Sequence, residues 1–312
     1  MRSSLPDHAP WVGADISLVL DLCRVRADKL HRLTMNRLAS AIRLLRPEQW
    51  TKNAAVFAGL IFARRMDDPA AVMRSLATFV AFCLASSAAY AVNDVLDREA
   101  DRRHPVKSRR PLAAGELTVG EAVLAAALVA LGALGLAGAV GGRLLVGVLA
   151  YWALQAGYNA LFRHRPVLDV LALALGFVLR AFTGAWVLEV EVSPWMLVCA
   201  FHLALFLALA KRRHEAVALE AAQQHRAALA GCPPAVLEQW MQIATAATIV
   251  SYSLYTLSEQ TIRKFGGHRL VWTLPWVVAG VFRYLWLVHR GDAGGQPERA
   301  LWTDRPLLAT VA

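Results

Sequence analysis

The sequence predicts an all-α, polytopic membrane protein, a bundle of helices that cross the bilayer. Three observations carry that expectation. The 312 residues are 57% hydrophobic and have a mean hydropathy of +0.42, more apolar than is usual for a soluble chain of this length. Several runs approach the roughly 20 apolar residues that cross a hydrocarbon core. None alternates like a barrel strand, and a segment in lipid must satisfy its own backbone, so these runs read as helices.

Residues 1–14 are polar, with Pro6 and Pro10, and read as a flexible amino terminus. Over 15–45, Leu18, Leu22, Val25, Leu30, Leu33, Leu38 and Ile42 recur at helical spacing with arginines between them. That pattern suits an amphipathic interfacial helix, lying on an anionic membrane surface or on the protein's own cytosolic side. Residues 46–312 are then expected to form one transmembrane domain. Spans are expected at about 46–64, 73–94, 118–138, 143–162, 167–188, 193–212, 239–262 and 270–288. Lys52 and Asn53 interrupt the first, and Asp169 and Arg180 sit inside the fifth. The closing LWTDRPLLATVA starts apolar and stops; a short last helix against the bundle, or a truncated one, is expected there.

The net charge is +10. Lys and Arg concentrate before the first span and in the second–third, fourth–fifth and sixth–seventh connections. The positive-inside rule puts those segments in the cytosol, and a bacterial inner-membrane location is expected. Arg263, Lys264 and Arg269 are exceptions. The surplus is thus assigned to topology and to anionic substrates rather than to nucleic acid. Four cysteines stand apart without CxxC or Cys/His spacing, so neither zinc nor a disulfide framework is expected.

The most informative stretch is NDVLDREADRRHPVKSRRPLAAGEL, from Asn93 to Leu117. Residues three and four apart share a helix face, so Asn93, Asp97 and Asp101 should stack along one stripe with Asp94 beside it. Carboxylates so close need a cation. Clustered oxygen ligands suit Mg2+, which bridges carboxylates to substrate phosphates; Asp94, Asp97 and Asp101 are the expected ligands. Arg102, His104, Lys107 and Arg110 follow and can hold phosphate oxygens, while Pro105 and Pro111 end the helix and bend the loop. The bland alternative is a solvated cytosolic loop; acids at helical spacing on the membrane edge favour a site.

NDxxDxxxD after the second span resembles the first Asp-rich motif of the UbiA superfamily of intramembrane prenyltransferases. The longer wording in RPEQWTKN (46–53), NDVLDREADRRHPVKSRRPLAAG (93–115), YNALFRHRPVLDVLALALGFVLRAFTGA (158–185), LAKRRHE (209–215) and DRPL (304–307) is similar to its decaprenyl-phosphate phosphoribosyltransferase branch. The resemblance implies eight to nine transmembrane helices around a central cavity, open to the cytosol and laterally to lipid. It also implies Mg2+, phosphoribosyl pyrophosphate (PRPP) as donor, a polyprenyl phosphate lipid as acceptor, and a place in the synthesis of an arabinose-donor lipid. Oligomeric state is not legible.

Prenyl-transferring members carry a second motif, typically DxxxD, after the sixth span. Here Lys211, Arg212, Arg213, His214 and Glu215 stand there. Lys211 and Arg212 are candidate phosphate ligands; the alternative for Lys211 is an i,i+4 ion pair with Glu215 or snorkelling. Lys52 and Asn53, Tyr158, Arg163 and Asp169 complete the expected substrate-binding set. Arg163 holds a place where the family often has Lys, which keeps the charge but changes the geometry. Arg180 is equally well explained as cavity lining or as a structural ion pair. The expected chemistry is an SN1-like substitution at the anomeric carbon that needs positioning and charge neutralisation but no strong base. Two rivals stand: a prenyltransferase using a prenyl diphosphate and an aromatic acceptor, and a carrier or transporter of a polyprenyl lipid, which would show broken helices in matching halves.

Overall fold

The computed structural model describes residues 37–221, 232–290, 300 and 303–311. The expected flexible stretch 1–14 and most of the amphipathic segment 15–45 lie outside the described residues; 37–45 form a helix, α1. A 3-10 segment, Pro47–Phe57, and a single turn, α2 (Ala58–Phe62), follow. The long helices are α3 (Pro69–Leu96), α5 (Val119–Val140), α6 (Gly142–Ala160), α7 (Pro166–Val187), α8 (Pro194–Ala221), α9 (Pro234–Leu257) and α11 (Leu274–Arg290). Shorter pieces are α4 (Arg98–Arg102), α10 (Glu259–Phe265) and α12 (Arg305–Val311). No strand occurs among the described residues.

Local chemistry sets the boundaries. Pro69, Pro166, Pro194 and Pro234 each open a long helix, where a missing N–H costs nothing. Asp68 caps α3 by accepting from the amides of Ala70 and Ala71, and Thr118 and Glu121 form a capping box on α5. Gly141, at φ 141°, alone joins α5 to α6, so these helices are tied together at that end.

Six stretches are long and apolar enough to cross a membrane: Pro69–Leu96, Val119–Val140, Gly142–His164, Pro166–Val187, Pro194–Val217 and His268–Arg290. Each falls on an expected span. The expected span 239–262 is α9, which has the length but is less apolar, and it stops at Ser258.

The first expected span is not a continuous α-helix. Eleven of its residues are wound as 3-10 helix. At about 2.0 Å per residue, and with the following α-helical turn, this segment still reaches about 30 Å, the thickness of a hydrocarbon core. Packing against α7 explains why it tolerates an unfavourable winding. A Cβ on Gly184 would lie 2.0 Å from the Val56 carbonyl oxygen, and one on Gly59 would lie 2.6 Å from Ala185 Cα. The two backbones are therefore in direct contact, as small residues allow between membrane helices.

Two large apolar clusters divide the bundle. One joins α3, α5 and α6 through Phe82, Ala85, Ala133, Leu144, Val148 and Tyr151. The other joins α8, α9 and α11 through Phe206, Leu209, Leu237, Met241, Tyr284 and Val288. α7 contributes to both, through Val187 and Val170. The ends of α3, α6 and α8 and the start of α7 thereby meet on one side of the bundle.

Gly184→Ala is expected to destabilise the protein by about 1–3 kcal/mol, the usual range for overpacking. Gly120→Ala, where nothing lies within 4 Å, should leave stability equal or higher. Melting temperatures in detergent check the contrast.

Candidate active site

The acidic motif sits where α3 stops. Asp97, at φ −92° and ψ 5°, is both the C-cap of α3 and the residue before α4. The acids consequently separate into two groups rather than forming the single expected stripe. Asn93 and Asp97, one turn apart, face the end of α6: Asn159 Nδ2 donates to Asn93 Oδ1 at 2.6 Å, and Arg163 Nη1 donates to both oxygens of Asp97 at 3.1 Å. Asp94 and Asp101, two turns apart, face the loop after α4 and are each 2% exposed. Arg110 Nη1 lies 3.1 Å from Asp94 Oδ1 and 2.5 Å from Asp101 Oδ2, and Lys107 Nζ lies 3.6 Å from Asp101 Oδ1.

Arg46 is the cation that the sequence reading missed. Its guanidinium donates to Asp94 Oδ1 and stacks over the Tyr90 ring at 5.0 Å. It has φ 52° and ψ 61° immediately before Pro47, a left-handed conformation that costs of order 1–3 kcal/mol for a non-glycine residue. Nothing periodic connects it to an acid 48 positions later. The one local signal is Arg-Pro at the start of a span.

These contacts decide how a divalent cation could be held. Among the described residues no group of three or more His, Cys, Asp or Glu converges; Asp97 is turned to Arg163. Asp94 and Asp101, however, meet on one guanidinium nitrogen, and Asp94 Oδ2 is buried with no hydrogen-bond partner. A buried, unpaired carboxylate oxygen beside a second carboxylate fits a hard cation with oxygen ligands.

A second cluster gathers three helices. Arg212 of α8 donates to Asp169 of α7 through Nε at 2.5 Å and Nη2 at 2.7 Å, and to Tyr158 of α6 at 3.0 Å; Tyr158 donates to Asp169 at 2.8 Å. Glu215 pairs with Arg212 at 2.6 Å. Lys211, half-buried, precedes Arg212 on α8.

Four expected ligands have other duties. Asn53 is fully buried: its oxygen accepts from Arg180 Nε at 2.7 Å and its nitrogen donates to Ser86 at 3.2 Å. Arg180 also donates to the Gly176 carbonyl at 2.8 Å and to Tyr151 at 3.3 Å. The pair ties α7 to the 3-10 segment. Lys52 donates to Gln49 in its own turn. Arg102 ion-pairs with Glu99 at 3.1 Å and is 40% exposed. His104 Nδ1 accepts from the amides of Val106 and Lys107 at 3.2 and 3.3 Å, shaping the turn that carries Lys107 to Asp101.

A cavity of about 710 Å3 lies between α3, α5 and α6, with Asn93, Asp97, Asn159 and Arg163 at its polar end. This cavity borders the acidic motif.

Asn53→Ala should cost about 1–3 kcal/mol, because Arg180 Nε loses its buried acceptor. Asp97→Asn breaks a part-exposed pair and should stay within about 1 kcal/mol. Thermal melts of the two variants in detergent separate the structural tie from the site.

With the fold and site described, comparison with known proteins becomes informative. The model of the UbiA prenyltransferase family matches residues 53–303. The chain is 35% identical to the decaprenyl-phosphate phosphoribosyltransferase of Corynebacterium glutamicum, over 91% of this chain and 86% of that one. It is 30% identical to the protein of the same name from Mycolicibacterium smegmatis, over 87% and 89%. A UbiA homolog from Archaeoglobus fulgidus bound to GPP and Mg2+ has the same fold, with a TM-score of 0.66 at 22% identity over 80% of this chain and 87% of that one. The acidic motif on α3, the all-helical bundle and the family match agree: the chain is an integral membrane protein that belongs to the UbiA prenyltransferase family.

Proposed function

We propose that the protein transfers the 5-phosphoribosyl group of PRPP to a polyprenyl phosphate, releasing pyrophosphate, at the cytosolic side of the bacterial inner membrane. The observation that carries this reading is the pairing of every site acid with arginine. Arg46 and Arg110 serve Asp94, Arg163 serves Asp97, and Arg212 serves Asp169. Members that use a prenyl diphosphate and an aromatic acceptor carry, as the resemblance implies, acidic motifs on both halves of the bundle. A site for two phosphorylated substrates needs cations, and the position of the second acidic motif holds Lys211, Arg212 and Arg213 instead. The names of the relatives support the same reading.

In this reading Asp94 and Asp101 would hold Mg2+; a UbiA homolog from Archaeoglobus fulgidus is solved with Mg2+ bound. When bound it supplies charge neutralisation for the leaving pyrophosphate. Arg46, Lys107 and Arg110 bring three further cations to the donor's phosphate oxygens, with Arg110 able to take two oxygens at once. Arg163, paired with Asp97 at the end of α3, and Arg212, held with Tyr158 and Asp169, are the cations left for the acceptor phosphate and the ribose phosphate. The bond from the anomeric carbon to pyrophosphate breaks, and an oxygen of the acceptor phosphate bonds to that carbon. The attacking oxygen is already anionic, so no side chain must remove a proton. Positioning and fixed positive charge supply the catalysis.

Transfer of ribose-labelled PRPP into the lipid fraction of membranes containing the protein tests the proposal. Label should enter a polyprenyl phosphate, and EDTA should abolish transfer. Asp94→Asn should lower kcat/KM by about 100-fold or more, as expected for loss of a charge-stabilising ligand. Arg46→Lys should raise KM for PRPP about tenfold, because lysine keeps the charge but not the bidentate fork. Label from a prenyl diphosphate entering an aromatic acceptor, with none from PRPP, would establish the rival chemistry.

A further inference from the structure

The reaction proposed above leaves three cations unexplained. Arg263, Lys264 and Arg269 run against the positive-inside pattern and follow α9, at the end of the bundle opposite the acidic motif. We infer that this end binds the headgroup of a membrane phospholipid, a zwitterionic phosphoethanolamine, in a cleft between α2, the α7–α8 loop and α10. The site is separate from the phosphoribosyl chemistry. In the orientation proposed above it meets the outer leaflet.

The cleft is built from well-anchored backbone. It begins at Gly59 and Ala185, where α2 and α7 touch. Beyond that contact α7 ends, and Glu189 turns the chain with φ 57°. Two ties hold the turn: Arg65 Nη1 donates to the Leu188 carbonyl at 3.2 Å, and Arg143 pairs with Glu189. The loop therefore stands as a preformed wall. α10 supplies a second wall through Gln260, Thr261 and Lys264. The enclosed part of the cleft is about 10 Å3, room for a single water-sized group. A sugar ring or a nucleobase does not fit there, whereas one phosphate oxygen does.

The walls present donors to an incoming anion. Ser193 lines the cleft and is 8% exposed, and its Oγ is buried with no hydrogen-bond partner among the described residues. The residue stands at the N-cap of α8, since the Leu197 amide donates to its carbonyl, yet its hydroxyl does not take the usual capping bond. A buried polar atom left this way persists where a ligand completes it. Lys264 lines the same cleft. Burial draws its ammonium below the usual lysine range, and the Glu191 carboxylate opposes that shift. An ammonium that has lost water gains most from an anionic partner.

Glu191, which also lines the cleft, selects among phosphates. A bare phosphate would meet this carboxylate as a like charge. A phosphoethanolamine meets it with an ammonium that donates hydrogen bonds, while its phosphate takes Ser193 and Lys264. Trp272 and Trp276 are 80% and 59% exposed on the segments after α10, as belt residues are at headgroup level. They mark this end as a membrane–water boundary, and Arg263 and Arg269 add attraction for lipid phosphates there.

Lipid affinity is the readout. Phosphatidylethanolamine, phosphatidylglycerol and phosphatidylcholine are titrated separately into the purified protein in detergent, and bound lipid is counted by native mass spectrometry. Wild type should bind phosphatidylethanolamine about tenfold more tightly than either other lipid, the worth of one charge-assisted hydrogen bond. Phosphatidylglycerol brings no ammonium, and the ammonium of phosphatidylcholine has no N–H to donate. Lys264→Gln should weaken phosphatidylethanolamine binding about tenfold for the same reason. Glu191→Gln should abolish the preference over phosphatidylglycerol. Ser193→Ala should weaken binding by a smaller factor, while the melting temperature without lipid stays equal or rises, because an unsatisfied hydroxyl is removed. That combination separates a ligand contact from a structural one. Glycerophosphoethanolamine, the headgroup without acyl chains, should compete weakly; full competition would overturn the assignment to a membrane lipid. Equal affinity for the three lipids, a preference for phosphatidylglycerol, or a preference left intact by both charge variants would overturn the site.

Discussion

The site is governed by the cost of burying carboxylates at the edge of a membrane. Asp94 and Asp101 are each 2% exposed, and an isolated buried ion costs several kcal/mol even after relaxation. The chain meets that cost with three cations from two separate segments: Arg46, at the entrance of the first span, and Lys107 and Arg110, from the loop after α4. Much of the local architecture follows from this requirement. The loop must fold back over the end of α3, which His104 helps by accepting from two backbone amides. The chain before Pro47 must adopt a left-handed turn to aim Arg46 inward. Even with these partners Asp94 Oδ2 remains unsatisfied, and an unsatisfied buried acceptor persists where a ligand or ion completes it.

The 3-10 segment and the α7 network obey the same economy deeper in the bundle. Arg180 cannot lie in an apolar interior without acceptors. It finds the Asn53 side chain, the Gly176 carbonyl and the Tyr151 hydroxyl, and its guanidinium stacks 4.8 Å from the Tyr151 ring. Asn53 can reach it because Gly184 and Gly59 let the two backbones touch. The broken first span is thus held to α7 by hydrogen bonds that lipid cannot replace, which keeps the entrance of that span, and with it Arg46, in a fixed place.

Most of the fold was legible because apolar length is a property of single helices. Six expected spans coincide with helices long enough to cross a membrane, and prolines and caps mark their starts. The 3-10 winding of 47–57 was not legible, since it depends on contact with α7 at Gly184, 128 residues (184 − 56) beyond its neighbour Val56. In the site, the residue types and the segment were readable, but their grouping was not. Helical spacing predicted one stripe of Asn93, Asp97 and Asp101. The helix ends at Asp97, and a break in register cannot be read from a pattern that assumes none. Asn53 shows the converse limit. Its place in a family-like motif suggested a ligand, whereas its full burial and its bond to Arg180 make it part of the frame. Arg46 was overlooked because its partner is remote in sequence.

The division of α3's last turn into two faces has a consequence for how two anions meet. Like charges brought together on one face would repel strongly in a medium of low dielectric. Here one face presents Arg46, Lys107 and Arg110 around Asp94 and Asp101, and the other presents Arg163 beside Asp97. Each group of cations is paired with acids until an anion arrives, with three cations against two carboxylates on the first face and one against one on the second. Arg212, shared among Asp169, Glu215 and Tyr158, offers a third such reserve from the opposite half of the bundle. A second acidic motif at that place would add repulsion to a site that already faces two phosphorylated groups. Basic residues there, Lys211, Arg212 and Arg213, instead add positive charge around the incoming phosphates, so the second half of the bundle supports the first in neutralising them.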